Sequence, residues 1–268
     1  MRIVVLTSSF RGLASYCIPR LAEDPKIEIA MVVYSEGQNL NPQKQRRRKA
    51  KKTLKIGVLG ALNGVRMRPW FTHDVYARLK IEDLPTVAGR FGILLERTPS
   101  INHQRTIDLF TEADANLGIS LGNSYIGERV FSVPEYGMIN IHHEVLPQFQ
   151  GAQSIIWQLY EGSLETGYTI HKIDRRLDSG DILYQERMPI HLKPTLRETV
   201  VYNYARLYEA SVKGLAKVVK DFPQFAASAK PQIGGRSFTT PSFWQYLWMV
   251  HQHRRLYREQ LKQPVTRS

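Results

Sequence analysis

"RIVVLTSSFRGLASYCIPRLAEDPKIEIAMVVYS", residues 2–35, holds in order an apolar run (RIVVL), a polar turn (TSSFRG), a segment with apolar residues at helical spacing (LASYCIPRLA) and a second apolar run (KIEIAMVVYS, 26–35). Short runs rich in Val and Ile read as strands buried on both faces, and apolar residues spaced by three and four read as a helix lying on them. Strand, helix, strand in this rhythm calls for parallel pairing with right-handed crossovers, because parallel neighbours cannot be joined by a tight turn. The rhythm continues along the chain. THDVYARLK predicts a helix, FGILLER (91–97) a strand, INHQRTIDLFTEA a helix, DANLGISLG a strand, GMINIHH (137–143) a strand and AQSIIWQLYEG a helix. After Gly167 it changes: GYTIHKID and GDILYQERMPI flank the turn-rich RRLDSG, which predicts an antiparallel hairpin. TLRE at 195–198 has capping-box form, and Val201, Tyr204, Tyr208, Val212, Leu215, Val219 and Phe222 follow at helical spacing. The expected fold is α/β, a mostly parallel sheet flanked by helices, with a small C-terminal appendage. Residues 1–190 form the main domain, and residues 191–268 hold the long helix and the appendage that contains FWQYLW and HRRLYREQLK.

Composition narrows the class. The 268 residues are 43% hydrophobic and 23% charged, enough to bury a sizeable core. No run approaches the roughly 20 apolar residues of a membrane span, and the first ten residues lack the apolar stretch of a signal peptide, so a cytoplasmic protein with no membrane span is expected. A single cysteine, Cys17, excludes an internal disulfide framework and a cysteine-cluster metal site. The net charge of +13 is mostly local. Between Glu36 and Asp74 there is no acidic residue, and ten Lys or Arg fall there: Lys44, Arg46, Arg47, Arg48, Lys49, Lys51, Lys52, Lys55, Arg66 and Arg68. That patch suits phosphates on a nucleotide, a polynucleotide or an anionic membrane surface; a solvated basic loop without a partner is the plain alternative. The stretch from about 36 to 56 is expected to be a loop or insertion interrupting the sheet order.

GMINIHHEVLPQFQGA (137–152) raises the question of chemistry. Side chains alternate along a strand, so Asn140 and His142 share one face, while Ile141 and His143 share the other. An amide and an imidazole at the C-terminal end of a buried strand stand where open α/β sheets place their ligands. His143 is expected to face elsewhere, as a hydrogen-bond partner behind the site. A single histidine is as readily a satisfied structural residue, but Asp178, in the Ser-Gly turn of IDRRLDSGDIL, offers a carboxylate from the neighbouring hairpin. Asp174 and Asp181 read as turn caps. An amide to donate to a developing oxyanion, an imidazole to exchange a proton and a carboxylate to tune it could serve acyl transfer. A metal site built from His142, His143 and His171 is not expected, because adjacent strand residues diverge.

GMINIHHEVLPQFQGA, ETGYTIHKIDRRLDSGDIL (165–183) and ADANLGISLGNSYI (113–126), in this order over roughly residues 90–190, resemble the formyltransferases that use N10-formyltetrahydrofolate. The family includes enzymes acting on methionyl-tRNA, on glycinamide ribonucleotide and on nucleotide sugars. The resemblance implies a Rossmann-like catalytic domain, a catalytic trio of Asn140, His142 and Asp178, and N10-formyltetrahydrofolate as co-substrate with no metal. In the implied reaction a neutral amine attacks the formyl carbon, Asn140 and protonated His142 stabilise the oxyanion, and Asp178 supports proton transfer. The family holds its pterin largely through backbone groups, at positions matching Asn123, Ser124, Tyr125 and Ile126, and Asp174, Arg175, Arg176 and Leu177.

Departures from the family narrow the acceptor. Methionyl-tRNA enzymes usually carry a C-terminal barrel, for which residues 223–268 leave little chain, and their SLLPxxRG loop reads EVLPQFQG here, with Glu144 and Gln150 at unusual places. The Gly-rich phosphate loop of the glycinamide ribonucleotide enzymes reads TSSFRG, whose Ser8, Ser9 and Arg11 could still bind an acceptor's phosphate. The expectation is a nucleotide-linked 4-amino-4,6-dideoxysugar as acceptor, GDP-perosamine or a dTDP-linked sugar, in surface-polysaccharide (O-antigen) biosynthesis, with no nucleic-acid partner and with a homodimer as the family's frequent state. A methionyl-tRNA formyltransferase-like enzyme and a non-catalytic nucleotide- or RNA-binding module are the competing readings.

Overall fold

The computed structural model describes residues 1–37, 42–151 and 153–262, without the side chains of 42, 44, 45, 48 and 49. In chain order the elements are β1 (Arg2–Thr7), α1 (Leu13–Ala22), β2 (Glu28–Ser35), α2 (Pro42–Met67), a single 3-10 turn (Arg68–Phe71), α3 (His73–Arg78), α4 (Leu84–Arg90), β3 (Leu95–Thr98), α5 (Gln104–Ala113), β4 (Leu117–Leu121), α6 (Glu128–Phe131), β5 (Met138–His142), β6 (Gln150–Gly151), α7 (Ile156–Tyr160), β7 (Glu165–Lys172), β8 (Ile182–Pro189), α8 (Leu196–Lys220), α9 (Phe222–Ala227), β9 (Ser237–Phe238) and α10 (Phe243–Lys262). Seven strands form one sheet in the order β3-β2-β1-β4-β5-β7-β8, with β3 to β5 parallel and the β7–β8 hairpin antiparallel at the edge. β6 and β9 pair separately.

Alternation along the strands divides the core in two. Ile3, Val5, Val32, Ile119, Ile139 and Ile141 face a cluster completed by α1 and by α8 residues such as Val200, Leu207 and Leu215. Val4, Leu6, Met31, Val33 and Met138 face the opposite cluster, completed by Leu109 and Phe110 of α5. Helices on both faces are what a parallel sheet requires to bury its apolar surface. The order reverses between β1 and β4, so the crevice beyond their C-terminal ends is the topological switch point where ligands of open α/β sheets bind. The anticipated capping box forms on α8: the Thr195 hydroxyl accepts from the Glu198 N–H at 3.1 Å, and the Glu198 carboxylate accepts from the Thr195 N–H at 3.0 Å.

The loop expected over about 36–56 is a correction: from Pro42 the chain is helical, and residues 38–41 lie outside the described residues. The reason is local. Pro42 fits the first helical turn, and the Gln, Lys, Arg and Ala that follow are good helix formers with no breaker before Gly57. Gly57 itself has φ 75° and ψ 163°, a conformation that kinks α2 and that glycine adopts without steric cost.

Candidate active site

β5 and β7 build the site between them. Antiparallel register places Asn140 opposite His171 and His142 opposite Thr169. The β7–β8 connection then folds back over this pair and delivers Asp178. Three features hold that connection: Asp174 accepts from the Arg176 N–H at 2.9 Å and from the Ser179 hydroxyl at 2.7 Å, the Gly180 carbonyl accepts from the Gln232 side chain at 2.7 Å, and the Lys172 N–H reaches the Asp181 carbonyl at 2.9 Å. Asp174 is thus the turn cap anticipated from sequence. Asp178 sits in the left-handed region at φ 53°, which Asp tolerates better than most residues. Gly180 passes so close to β7 that an added Cβ would lie 2.0 Å from the Lys172 carbonyl oxygen.

The carboxylate of Asp178 stands between two imidazoles. His142 Nδ1 lies 3.8 Å from one oxygen and His171 Nε2 lies 3.8 Å from the other. Asn140 Nδ2 lies 3.3 Å from His171 Nε2. The expected trio therefore meets, and a second histidine joins it. The sequence reading weighed His171 only as an unexpected metal ligand, because its place opposite Asn140 is set by strand register across 31 residues.

The hydrogen bonds assign the protons. A carbonyl can only accept, so His171 Nδ1–H donates to the Lys172 carbonyl (2.8 Å), which leaves Nε2 to accept from Asn140. One N–H of the Asn140 amide is used there and the other is free for a ligand oxygen. His142 Nε2–H donates in the same way to the Phe149 carbonyl at 3.2 Å, which leaves Nδ1 facing Asp178. Burial lowers the pKa of His142, against the opposing pull of Asp178 and the Phe149 carbonyl. His171 is lowered by burial and by His142, with Asp178 opposing. Burial therefore works against the imidazolium that the resemblance implies at His142, whose side chain is only 9% exposed, while Asp178 works for it.

His143 lies on the other face, as alternation predicts, but not behind the site. Its ring stacks on Tyr208 at 4.9 Å between centroids, and its Nε2 is 3.0 Å from the Ser211 hydroxyl of α8. Burial holds its pKa down to about 3, so it stays neutral packing.

An open cleft lies over Asn140, His171 and Asp178. Its other walls are Ser120, the loop after β4 at Asn123, Ser124, Tyr125 and Ile126, and Ile173, Asp174, Arg176 and Leu177. Both expected binding stretches therefore line one cleft, which mixes apolar surface with a few polar groups as small-molecule sites do. The side chains of His142, Arg175 and Arg11 lie outside the cleft wall. His142 lies beneath Asp178 rather than in the cleft wall. Arg175 is drawn to Glu128 at 2.7 Å and remains largely exposed. Arg11 does not line the cleft; its Nε donates to the Ile81 carbonyl at 2.6 Å. Ser8 reaches the site's edge by donating to Asn123 Oδ1 (2.9 Å), while Ser9 lies against Gly122. Among the described residues no group of three or more His, Cys, Asp or Glu could hold a metal ion.

Residues 102–219 match the family model described as formyl transferase. Solved structures share the fold. A phosphoribosylglycinamide formyltransferase from Anaplasma phagocytophilum is 19% identical at TM-score 0.56, covering 84% of this chain and 87% of its own. A sugar N-formyltransferase from a Shewanella species is 13% identical at TM-score 0.55, covering 94% and 87%. An N-formyltransferase from Helicobacter canadensis, in complex with folinic acid and dTDP-3-aminofucose, is 13% identical at TM-score 0.54, covering 94% and 79%.

Proposed function

From the match of residues 102–219 to the formyl transferase family model, we propose that the chain moves a formyl group from N10-formyltetrahydrofolate to the amino group of a nucleotide-linked amino sugar. The observation that carries the chemistry is the meeting of Asn140, His142, His171 and Asp178 at one end of the sheet beside an open cleft. The folate supplies an activated formyl group and a nitrogen leaving group. The chain supplies the charge and proton handling. Asn140 directs its free N–H at the formyl oxygen, where negative charge develops as the amine attacks. His171 holds that amide in orientation. Asp178, facing the cleft, accepts the proton lost by the amine and shares it with His142 Nδ1, and the proton passes on to the departing nitrogen.

The cleft wall at 123–126 and 173–177 is offered for the pterin, with Ile126, Ile173 and Leu177 as apolar surface and Asn123 and Asp174 as polar partners. Ser8 and Ser9, at the switch point between β1 and β4, are placed to meet the acceptor. The sugar class is supported by the extent of fold likeness, which reaches 94% of this chain for the sugar N-formyltransferases against 84% for the glycinamide ribonucleotide enzyme. Within it we favour a 4-amino-4,6-dideoxyhexose on GDP or dTDP, GDP-perosamine among them, serving a surface polysaccharide. The test incubates the purified protein with N10-formyltetrahydrofolate and a panel of GDP- and dTDP-linked 3-amino and 4-amino sugars, following by mass spectrometry the replacement of hydrogen by formyl. Transfer to a sugar nucleotide is expected. Transfer only to methionyl-tRNA or glycinamide ribonucleotide, or to no amine at all, refutes the acceptor class or the activity respectively.

A further inference from the structure

The basic helix α2 takes no part in the cleft. Past the Gly57 kink it is built inside out. Gly60 and Gly64 face inward, where an added Cβ would lie 3.1 Å from Ser242 and 2.6 Å from Thr240, and Met67 is fully buried. At 100° per residue the opposite face collects Val58, Leu59, Leu62 and Val65, all more than half exposed, and Leu54 just before the kink is 88% exposed. Four adjacent aliphatic side chains turned to water on one short helix form a patch that calls for a partner. Its flanks are cationic: Lys51, Lys52, Lys55, Arg66 and Arg68 are exposed, and none forms an ion pair among the described residues. The contact at Gly60 also brings in the start of α10, which carries exposed Trp244 and Trp248 two and six residues after Ser242.

We infer that this face docks on a bilayer carrying anionic headgroups, with the aliphatic stripe entering the headgroup–acyl boundary and the Lys and Arg meeting lipid phosphates. Charge and shape together select that partner. A second copy of the chain would bring one acid-free basic helix against another, where like charges repel. A nucleic acid would satisfy the cations but would leave the Val and Leu stripe in water. An anionic bilayer satisfies both, because basic residues beside exposed aliphatic side chains define interfacial binding, and tryptophan favours the same depth. No helix among the described residues is long and apolar enough to cross a membrane, so this is attachment to a surface.

Sedimentation with sucrose-loaded vesicles tests it, using the full chain, vesicles of 30:70 phosphatidylglycerol:phosphatidylcholine, and pure phosphatidylcholine as control. The protein should pellet with the anionic vesicles and remain in the supernatant with the neutral ones. Replacing Val58→Ser, Leu59→Gln and Leu62→Gln together should weaken binding by about tenfold or more, as should the charge reversals Lys51→Glu, Lys52→Glu and Lys55→Glu. Light scattering and circular dichroism on each variant should show an unchanged mass and fold. Failure of the wild type to pellet overturns the inference. So does binding indifferent to the aliphatic substitutions, which would mean charge adsorption alone, and so does a dimer that those substitutions convert to monomer, which would make the stripe an interface between copies.

Discussion

Replacing Asp178 by asparagine removes one negative charge from between two imidazoles and leaves shape nearly unchanged. A unit charge at about 4 Å is worth about 4 kcal/mol at the effective dielectric typical of proteins, which sets an upper bound of about three pH units on what Asp178 does to His142 at 3.8 Å. The open cleft screens part of this, so the shift falls below that bound. The sign follows from charge. The carboxylate favours imidazolium and opposes the lowering that burial imposes on both histidines, so its loss moves both titrations to lower pH. Turnover should fall by about 10²-fold or more, since the proton acceptor in the cleft is gone. Residual activity should persist to lower pH than in the wild type. Because weak turnover blurs a pH profile, the direct assay is titration of the His142 and His171 ring signals by NMR in both proteins. Unmoved midpoints, or midpoints moved to higher pH, would refute the placement of Asp178 between the two rings as the group that sets their charge.

Asn140→Ala should leave the thermal midpoint nearly intact while lowering kcat by about 10²–10³-fold, the loss typical of one oxyanion donor and about 2.7–4 kcal/mol in barrier, read by steady-state formyl transfer. Gly180→Ala should act at a distance from the cleft: the added methyl collides with the Lys172 carbonyl, displaces the turn that carries Asp178, and should cost about 1–3 kcal/mol in urea unfolding together with a loss of kcat. Glu144→Gln should leave stability at pH 4–5 unchanged and raise it at pH 9. Burial pushes the pKa of Glu144 up to about 8, so its folded state holds a proton that the unfolded chain releases above about pH 4.5, and wild-type stability drains as pH rises toward 8 by up to about 5 kcal/mol. Thermal melts of both proteins from pH 4 to 9 read the divergence.

The sheet was legible because its signals are local. Aliphatic runs at 3–6, 29–33 and 117–121 mark buried strands without reference to anything distant, and strand alternation alone separated Asn140 and His142 from Ile141 and His143. The capping box at Thr195 and Glu198 is likewise a four-residue device. What was not legible depends on partners far along the chain. His171 becomes part of the site only through the β5–β7 register, Arg175 is taken by Glu128 across 47 residues, and Arg11 is spent on Ile81. The helix at 42–67 was hidden for another reason. Charge repulsion in a run such as QRRRKAKK argues for a solvated loop, whereas its helix propensity argues the other way, and propensity prevails.

Partners rather than burial differentiate the two histidines at the end of β5. His142 and His143 are adjacent and almost equally hidden, at 8% and 9% exposed, so position in sequence and depth in the fold cannot tell them apart. Their partners do. Around His143 stand a hydroxyl and the rings of Tyr204 and Tyr208, none of which stabilises an imidazolium, and burial together with the nearness of His142 keeps it neutral to about pH 3. Around His142 the same desolvation is countered by a carboxylate and a backbone carbonyl, one for each ring nitrogen. Such a ring is neutral at rest yet has a place prepared for its second proton, and that is the property a proton-sharing group needs. The alternation of a single strand thus puts one histidine where charge can appear and disappear within the reaction, and the other where it never appears.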